Sequence, residues 1–397
     1  MEEQTNTTSK AVDDLINQLA RLKGSINNNS KIKDEAILLS KKIIHHLENP
    51  EQMALDMIYS PFTPIAARIA VEMNLFRHIS EKRGAITSRE LAILCGGEEE
   101  LIIRLLRVLA PAGLLDEVAD KTWQAKPVTH AMASEGIAAG YRMVGEILMT
   151  GAQQSPKYLR HNGYRCPTDP RAGFVQYAFQ TELTTFELIG TMPDTFKDFN
   201  AFMGREVGAR KKWLEWYDVC GRLIQGAKQE LPLLVDVGGG KGHDLVRFLE
   251  FHPGVWRLIL QDLDPVLRSA PDLPGGIEKM PYDFFTVQPV KGARAYFFHH
   301  VLHDWSDQKS LEILEQVVKA MTPGYSKLLI HEMIVPEKGA SMVHATLDIA
   351  MMCFGGGKER TAKQWEQLLE VAGLRVSGIW PGPEASAAGV IEAMVAA

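Results

Sequence analysis

Cysteine is scarce in this chain. Its four residues, Cys95, Cys166, Cys220 and Cys353, show neither disulfide nor metal-site spacing. That argues against a disulfide-stapled secreted scaffold and against a cysteine-based metal module. Long apolar runs are also missing. No stretch of about 18 apolar residues suggests a membrane span. The N-terminus lacks the charged head and apolar core of a secretory signal. The expectation is an intracellular, cytoplasmic protein with no membrane partner. Positive charge is not in excess either: the formal net charge is −6, which gives no general case for nucleic acid or an anionic surface. What is present is ordinary for a globular protein, with 46% hydrophobic and 23% charged residues over 397 positions. That length suggests two domains.

The stretch Leu233-Leu-Val-Asp-Val-Gly-Gly-Gly-Lys-Gly-His243 reads as strand, tight turn and helix. It opens an α/β domain of the doubly wound, Rossmann-like class. Glycines there let a backbone approach a ligand, and the helix start offers free N–H donors. The dinucleotide fingerprint G-x-G-x-x-G fails at its third position, which is His243. The run fits D-x-G-x-G-x-G better, from Asp236 through Gly238 and Gly240 to Gly242. Downstream, strands are expected at Arg257–Gln261, Ile277–Met280, Ala293–Phe298, Lys327–His331, Leu374–Trp380 and Val390–Val395, alternating with helices. The second strand ends at Asp262, about 20 residues past the glycines, where a carboxylate meets a ribose. Asp264 ahead of Pro265 reads as a helix cap.

Ahead of this domain, residues 11–50 are helical in pattern and broken at Asn27-Asn-Asn-Ser30. Residues 53–130 read as short helices. One starts at Pro61 and carries Ile65, Ile69, Met73 and Phe76. Thr87-Ser88 cap the next, and Leu101–Leu109 form a third. Gly113-Leu-Leu115 and Thr122-Trp-Gln look like strands of a small wing. A winged helix is a frequent DNA-binding shape. Glu98-Glu-Glu100 before the third helix would repel phosphate, so a structural or dimerisation module is the expectation, with no nucleic-acid partner. Residues 131–230 are helical, with a Pro/Gly-containing insert and a concentration of Met and aromatic side chains suited to a flat apolar ligand. The expected divisions are 1–130, 131–230 and 231–397.

Four motifs carry a resemblance. Leu302-His-Asp-Trp-Ser-Asp307, Leu329-Ile-His-Glu332, Gly357-Lys-Glu-Arg-Thr361 and Leu234-Val-Asp-Val-Gly-Gly-Gly240 resemble, in order and spacing, plant and fungal small-molecule O-methyltransferases that use S-adenosylmethionine (SAM). Tyr177-Ala-Phe-Gln-Thr-Glu-Leu183 is similar to the fungal branch, whose substrates are often polyketides and other aromatic secondary metabolites. The resemblance implies His303 as general base, Glu332 and Glu359 beside its imidazole, and Asp304 positioning cofactor or substrate. It implies a homodimer built through the N-terminal domain.

Position in the α/β pattern suggests Asp236, Gly238, Gly240 and Asp262 for SAM, with Asp283 on the adenine amino group and Phe284 stacked on the ring. Phe179, Met203, Met351, Met352 and Phe354 are the expected lining for a small aromatic substrate. No metal is expected, since nothing near His299, His300 and His331 in sequence supplies a ligand set. His299 departs from the family, where plant relatives usually carry a basic residue. The chemistry suits histidine. A phenol of pKa about 10 and an imidazole of about 6.5 make ground-state proton transfer cost roughly 5 kcal/mol, so nearby charge must reduce that cost. Two alternatives stay open. One is a pericyclase or dehydratase that uses SAM as a fixed charge; relatives of that kind tend to replace the motif histidine with a basic residue, and His303 is retained here. The other is a winged-helix regulatory protein.

Overall fold

The computed structural model describes residues 2–26, 29–209, 212–254, 256–383 and 388–395. The chain divides into two units, Met1–Ser134 and Glu135–Ala397, so residues 135–230 belong with the sheet that follows them.

In the first unit, helices Glu2–Arg21 and Ser30–Leu47 pack on each other. Asn27 and Asn28 of the expected turn lie outside the described residues. Helix Pro50–Tyr59 is capped by Asn49, whose side chain accepts the N–H groups of Glu51 and Gln52. The helix after Pro61 stops at Glu72, earlier than expected. Asn74 takes a left-handed backbone (φ 56°) and starts a new helix, Leu75–Glu81, which carries Phe76. Thr87 caps Ser88–Cys95 in a capping box with Glu90, as the sequence suggests. Helix Glu99–Leu109 buries Ile102, Ile103, Leu106 and Leu109. The expected strand at Gly113–Leu115 is absent. Gly113 (φ 80°) turns the chain off the helix, and the strand begins at Asp116. A three-stranded antiparallel sheet results, in the order Ile86–Thr87, Thr122–Gln124, Asp116–Ala119.

The second unit opens with helices, including Met149–His161, Phe174–Phe179, Thr185–Gly190 and Pro193–Ala209. Its sheet has strands β1 (Leu234–Val237), β2 (Leu258–Asp262), β3 (Ile277–Pro281), β4 (Ala295–His299), β5 (Lys327–Glu332), β6 (Leu374–Trp380) and β7 (Gly389–Val395). The spatial order is β3-β2-β1-β4-β5-β7-β6. β1 to β5 are mutually parallel where they pair, and β7 runs antiparallel to both neighbours. The apolar runs predict this burial, because successive strand residues face opposite sides. Val235, Tyr296 and Ile330 join one core, with Ile313 and Trp365 from covering helices. Leu234, Phe297 and Leu329 join the other, with Trp213, Leu245 and Phe248. The α/β expectation is met, with a mixed sheet.

Candidate active site

Strand order reverses between β1 and β4, and in such sheets the crevice at the strands' carboxyl ends takes the ligand. Gly238, Gly240 and Gly242 all have positive φ (73°, 58° and 80°). A side chain at Gly238 would press on Val301, 2.9 Å from its would-be Cβ, while none of the described atoms lies within 4 Å of one at Gly240. Asp262, at the end of β2, clamps the loop: its carboxylate accepts the N–H of Gly240 at 2.8 Å and of Leu263 at 2.7 Å. Burial pushes its pKa up, and those two N–H groups oppose the shift. Asp264 is not the expected cap; it is the first residue of helix Asp264–Ser269, and its carboxylate pairs with Arg268 one turn on. Asp236 is 1% exposed, and neither carboxylate oxygen has a hydrogen-bond partner among the described residues. Burial, then the charges of Asp244 and Asp262, hold its pKa well above the ordinary range.

β4 ends at His299, and the chain turns through His300 in a left-handed conformation (φ 52°). His303 lies on the following short turn, Leu302–Asp304. Glu332, buried at the end of β5, fixes that turn. Its Oε1 accepts the N–H groups of Val301 and Leu302 at 3.0 Å and of His303 at 3.4 Å. The imidazole is held separately. His303 Nδ1 lies 2.7 Å from Glu359 Oε1 and 3.7 Å from Glu332 Oε2, while Nε2 lies 3.7 Å from Asp304 Oδ1. The sequence-predicted His303, Asp304, Glu332 and Glu359 therefore form one cluster.

The electrostatics follow from burial against charge. Burial alone would lower the His303 pKa, but Glu332, Asp304 and Glu359 outweigh it and raise the pKa to about 10. Burial pushes Asp304 up to about 7, opposed by His303 and supported by Glu332 and Glu359. Burial works to raise Glu332, yet His303, His300 and the Val301 N–H bring it down to about 2.

The Gly-Lys-Glu-Arg motif explains how Glu359 arrives. A Cβ at Gly357 would collide with the His303 carbonyl and the Asp304 backbone. With glycine there, the Lys358 N–H donates to the His303 carbonyl at 2.8 Å. Arg360 was given no role by the sequence reading. It is fully buried and donates to the carbonyls of Leu302 (3.0 Å) and Trp305 (2.9 Å) and to Asp307 Oδ1 (2.8 Å). An arginine next to Glu359 in the motif was the available signal. The Asp244–His299 pair (2.7 Å) was also missed; its partners are 55 residues apart.

Aromatic rings adjoin this cluster. Phe284 and Phe285 meet Trp305 edge-on at 5.8 and 4.8 Å between centroids, Phe186 stacks on Trp305 at 6.4 Å, and Phe354 meets Phe186 at 4.9 Å. Phe284 also lies 3.7 Å from the would-be Cβ of Gly238, so it borders both halves of the site. Phe354, Met351 and Met352 lie on helix Met342–Gly355, where Gly355 abuts the Asp304 carbonyl. Phe179 packs at the edge of the core containing Phe354. Met203 is half-buried on helix Pro193–Ala209, next to Gly204, whose would-be Cβ is 4.0 Å from the His243 ring. Asp283 is exposed, and its Oδ1 accepts the Phe285 N–H at 3.0 Å, which is a turn contact.

A glycine-loop crevice beside a carboxylate-held histidine and an aromatic wall defines the methyltransferase class. The family described as O-methyltransferase domain matches residues 174–375. The chain is 45% identical over 368 residues to the O-methyltransferase penC of Penicillium thymicola, covering 92% of each. It is 48% identical to the O-methyltransferase asqD of Emericella nidulans, covering 84% of this chain and 87% of the relative. Among solved structures, LepI in complex with SAM is 30% identical, with TM-score 0.85 over 99% of this chain and 100% of that one. A structure described as a pericyclic reaction enzyme is 30% identical, with TM-score 0.86 over 98% and 100%. OxaC in complex with sinefungin and meleagrin is 27% identical, with TM-score 0.85 over 97% and 99%. The chain belongs to the O-methyltransferase family, and it is an enzyme whose cofactor is S-adenosyl-L-methionine.

Proposed function

We propose that the chain methylates a hydroxyl of a phenolic or enolic secondary metabolite, with His303 as general base. The observation that carries this reading is the 2.7 Å contact between His303 Nδ1 and Glu359, made beside an aromatic wall. A carboxylate on Nδ1 favours the tautomer with its proton there and frees Nε2 to accept a proton. As the substrate oxygen bonds carbon, its proton passes to Nε2. The new Nε2–H faces Asp304, and Glu332 and Glu359 stabilise the imidazolium. With the His303 pKa at about 10, near that of a phenol, the ground-state cost of transfer largely disappears. The resting imidazole is protonated at neutral pH, so it accepts the hydroxyl proton only after its own Nε2 proton has left to solvent, and the productive complex holds a single proton between the substrate oxygen and Nε2.

The residues fit SAM. The buried Asp236 carboxylate has no partner among the described residues, Gly240 leaves open space, and Asp262 caps the loop. Asp262 would hold the ribose hydroxyls and Phe284 the adenine face, while Asp283, engaged in its turn, would meet the amino group from the rim. When bound, SAM supplies an electrophilic sulfonium methyl. Phe186, Phe354, Met351 and Met352, with Phe179 behind them, would orient a flat acceptor and exclude water.

The N-terminal unit reads as a winged-helix dimerisation module in a cytoplasmic homodimer, without nucleic-acid binding. Helix Pro50–Tyr59 supports this, since it buries none of its residues and exposes Leu55, Met57, Ile58 and Tyr59.

A second reading, catalysis of a pericyclic or dehydration step with SAM as a fixed charge, is favoured by the likeness to the pericyclic reaction enzyme. One experiment separates them: purified protein, methyl-labelled SAM and a panel of phenolic and enolic polyketides, read by mass spectrometry. A labelled product with S-adenosylhomocysteine supports methyl transfer. A rearranged product of unchanged methyl count refutes it.

A further inference from the structure

The sequence offers His300 no metal partners, but the fold does. One donor atom from each of His300, His303 and Glu332 lies within 4.8 Å of the other two. Glu332 Oε2 is 3.5 Å from His300 Nδ1 and 3.7 Å from His303 Nδ1. Ligands of tetrahedral zinc, at about 2.0–2.2 Å from the ion, stand roughly 3.4 Å apart. The two spacings from Glu332 are within a few tenths of an ångström of that value, and the two histidine donors lie within 4.8 Å of each other. Two further observations point to a ligand. His300 Nδ1 and Glu332 Oε2 are both buried, and beyond their 3.5 Å approach to each other neither has a hydrogen-bond partner among the described residues. Glu359 Oε2 is in the same state, on the residue that touches His303. The left-handed backbone of His300 is what turns its ring toward Glu332 rather than along the strand.

We infer that His300, His303 and Glu332 form a three-donor binding site for a divalent cation of the zinc class. Two imidazoles and one carboxylate suit zinc, with the fourth position taken by water. Binding displaces the proton on His303 Nδ1 and takes the lone pair there. The cation is then an inhibitor of the reaction rather than a participant. That consequence rests on His303 being the base, whereas the binding itself does not.

The test uses full-length protein stripped with a chelator, then titrated with zinc chloride against a chromophoric chelator. One zinc per chain is expected, and His300→Ala should weaken binding by more than about 10-fold, the loss seen when even a supporting partner of a ligand is removed. Cobalt(II) added to the wild-type protein should give the intense visible absorption of a tetrahedral site, which needs no variant to fold. Absence of stoichiometric zinc, a weak octahedral cobalt spectrum, or loss of binding in His45→Ala/His46→Ala instead of His300→Ala each overturns the inference. Methyl transfer should fall as the site fills and return on adding chelator. Stoichiometric zinc at this site with undiminished turnover would leave the metal site standing and refute the base assignment.

Discussion

Replacing Glu359 with glutamine should move the pH dependence of turnover in a direction fixed by the structure. The three carboxylates around His303 raise its pKa to about 10 against the effect of burial. Glu359 makes the short contact, 2.7 Å, and the other two stand at 3.7 Å. A hydrogen bond to a charged group contributes roughly 1.5–3 kcal/mol, which is about 1–2 pKa units at about 1.36 kcal/mol per unit. In the wild type, kcat/KM toward a phenol should climb about tenfold per pH unit from 7 to 9, because both His303 and the acceptor are protonated below pH 10. A raised pKa means that removing its cause lowers the limb. In Glu359→Gln the limb should lie about 1–2 units lower. The plateau should fall as well, by a factor on the order of 10²–10⁴, since a glutamine no longer enforces the Nδ1–H tautomer or stabilises the imidazolium. The assay is labelled-methyl transfer from SAM across pH 6–10.5. An acid limb unmoved in Glu359→Gln would refute the electrostatic account of His303.

Gly357→Ala places a methyl group against the His303 and Asp304 backbone; overpacking of this kind costs about 1–3 kcal/mol, and kcat should fall with little change in SAM affinity, as read by steady-state kinetics and calorimetry. Asp262→Ala frees the Gly240 and Leu263 N–H groups and removes the proposed ribose acceptor, so the SAM dissociation constant should rise about tenfold or more, at about 1.4 kcal/mol per decade. Glu392→Gln strikes a buried ion cluster in which one carboxylate accepts from Tyr217 (2.6 Å), Arg222 (2.9 Å), Lys327 (3.0 Å) and Ser377 (2.8 Å). Urea unfolding should show a loss of about 3 kcal/mol, the low end for a broken buried pair because Arg222 is partly exposed. Burial works to raise the Glu392 pKa, but these partners lower it to about 2. Its contribution is therefore present above the ordinary carboxylate range and lost as pH falls toward 2, a loss that the variant should not show.

Much of the fold was legible because strand burial is periodic. Leu234 and Val235 enter opposite cores, and the expected strands form with ends displaced by a residue or two, as at Ala295–His299. Local turns were less legible. Asn74 takes a left-handed backbone that ends a helix which apolar spacing alone would extend, and Gly113 takes one that delays the strand expected there until Asp116. In the site, the His303–Glu359 contact joins residues 56 apart, and the motif resemblance, not periodicity, led to it. His300, Asp244 and Arg360 stayed hidden because their roles arise from partners on other elements: Glu332, His299 and the carbonyls of Leu302 and Trp305.

The most direct test of His303 as base is its dependence on acceptor acidity. Single-turnover methyl transfer would be measured for wild type and His303→Ala along a series of acceptors that differ in hydroxyl pKa. For a phenol of pKa about 10, the variant should be slower by about 10²–10⁴-fold. For an acceptor already ionised at the assay pH, the ratio should shrink toward unity, because no proton remains to be removed. A ratio that stays the same across the series would contradict the assignment and leave His303 a structural role only.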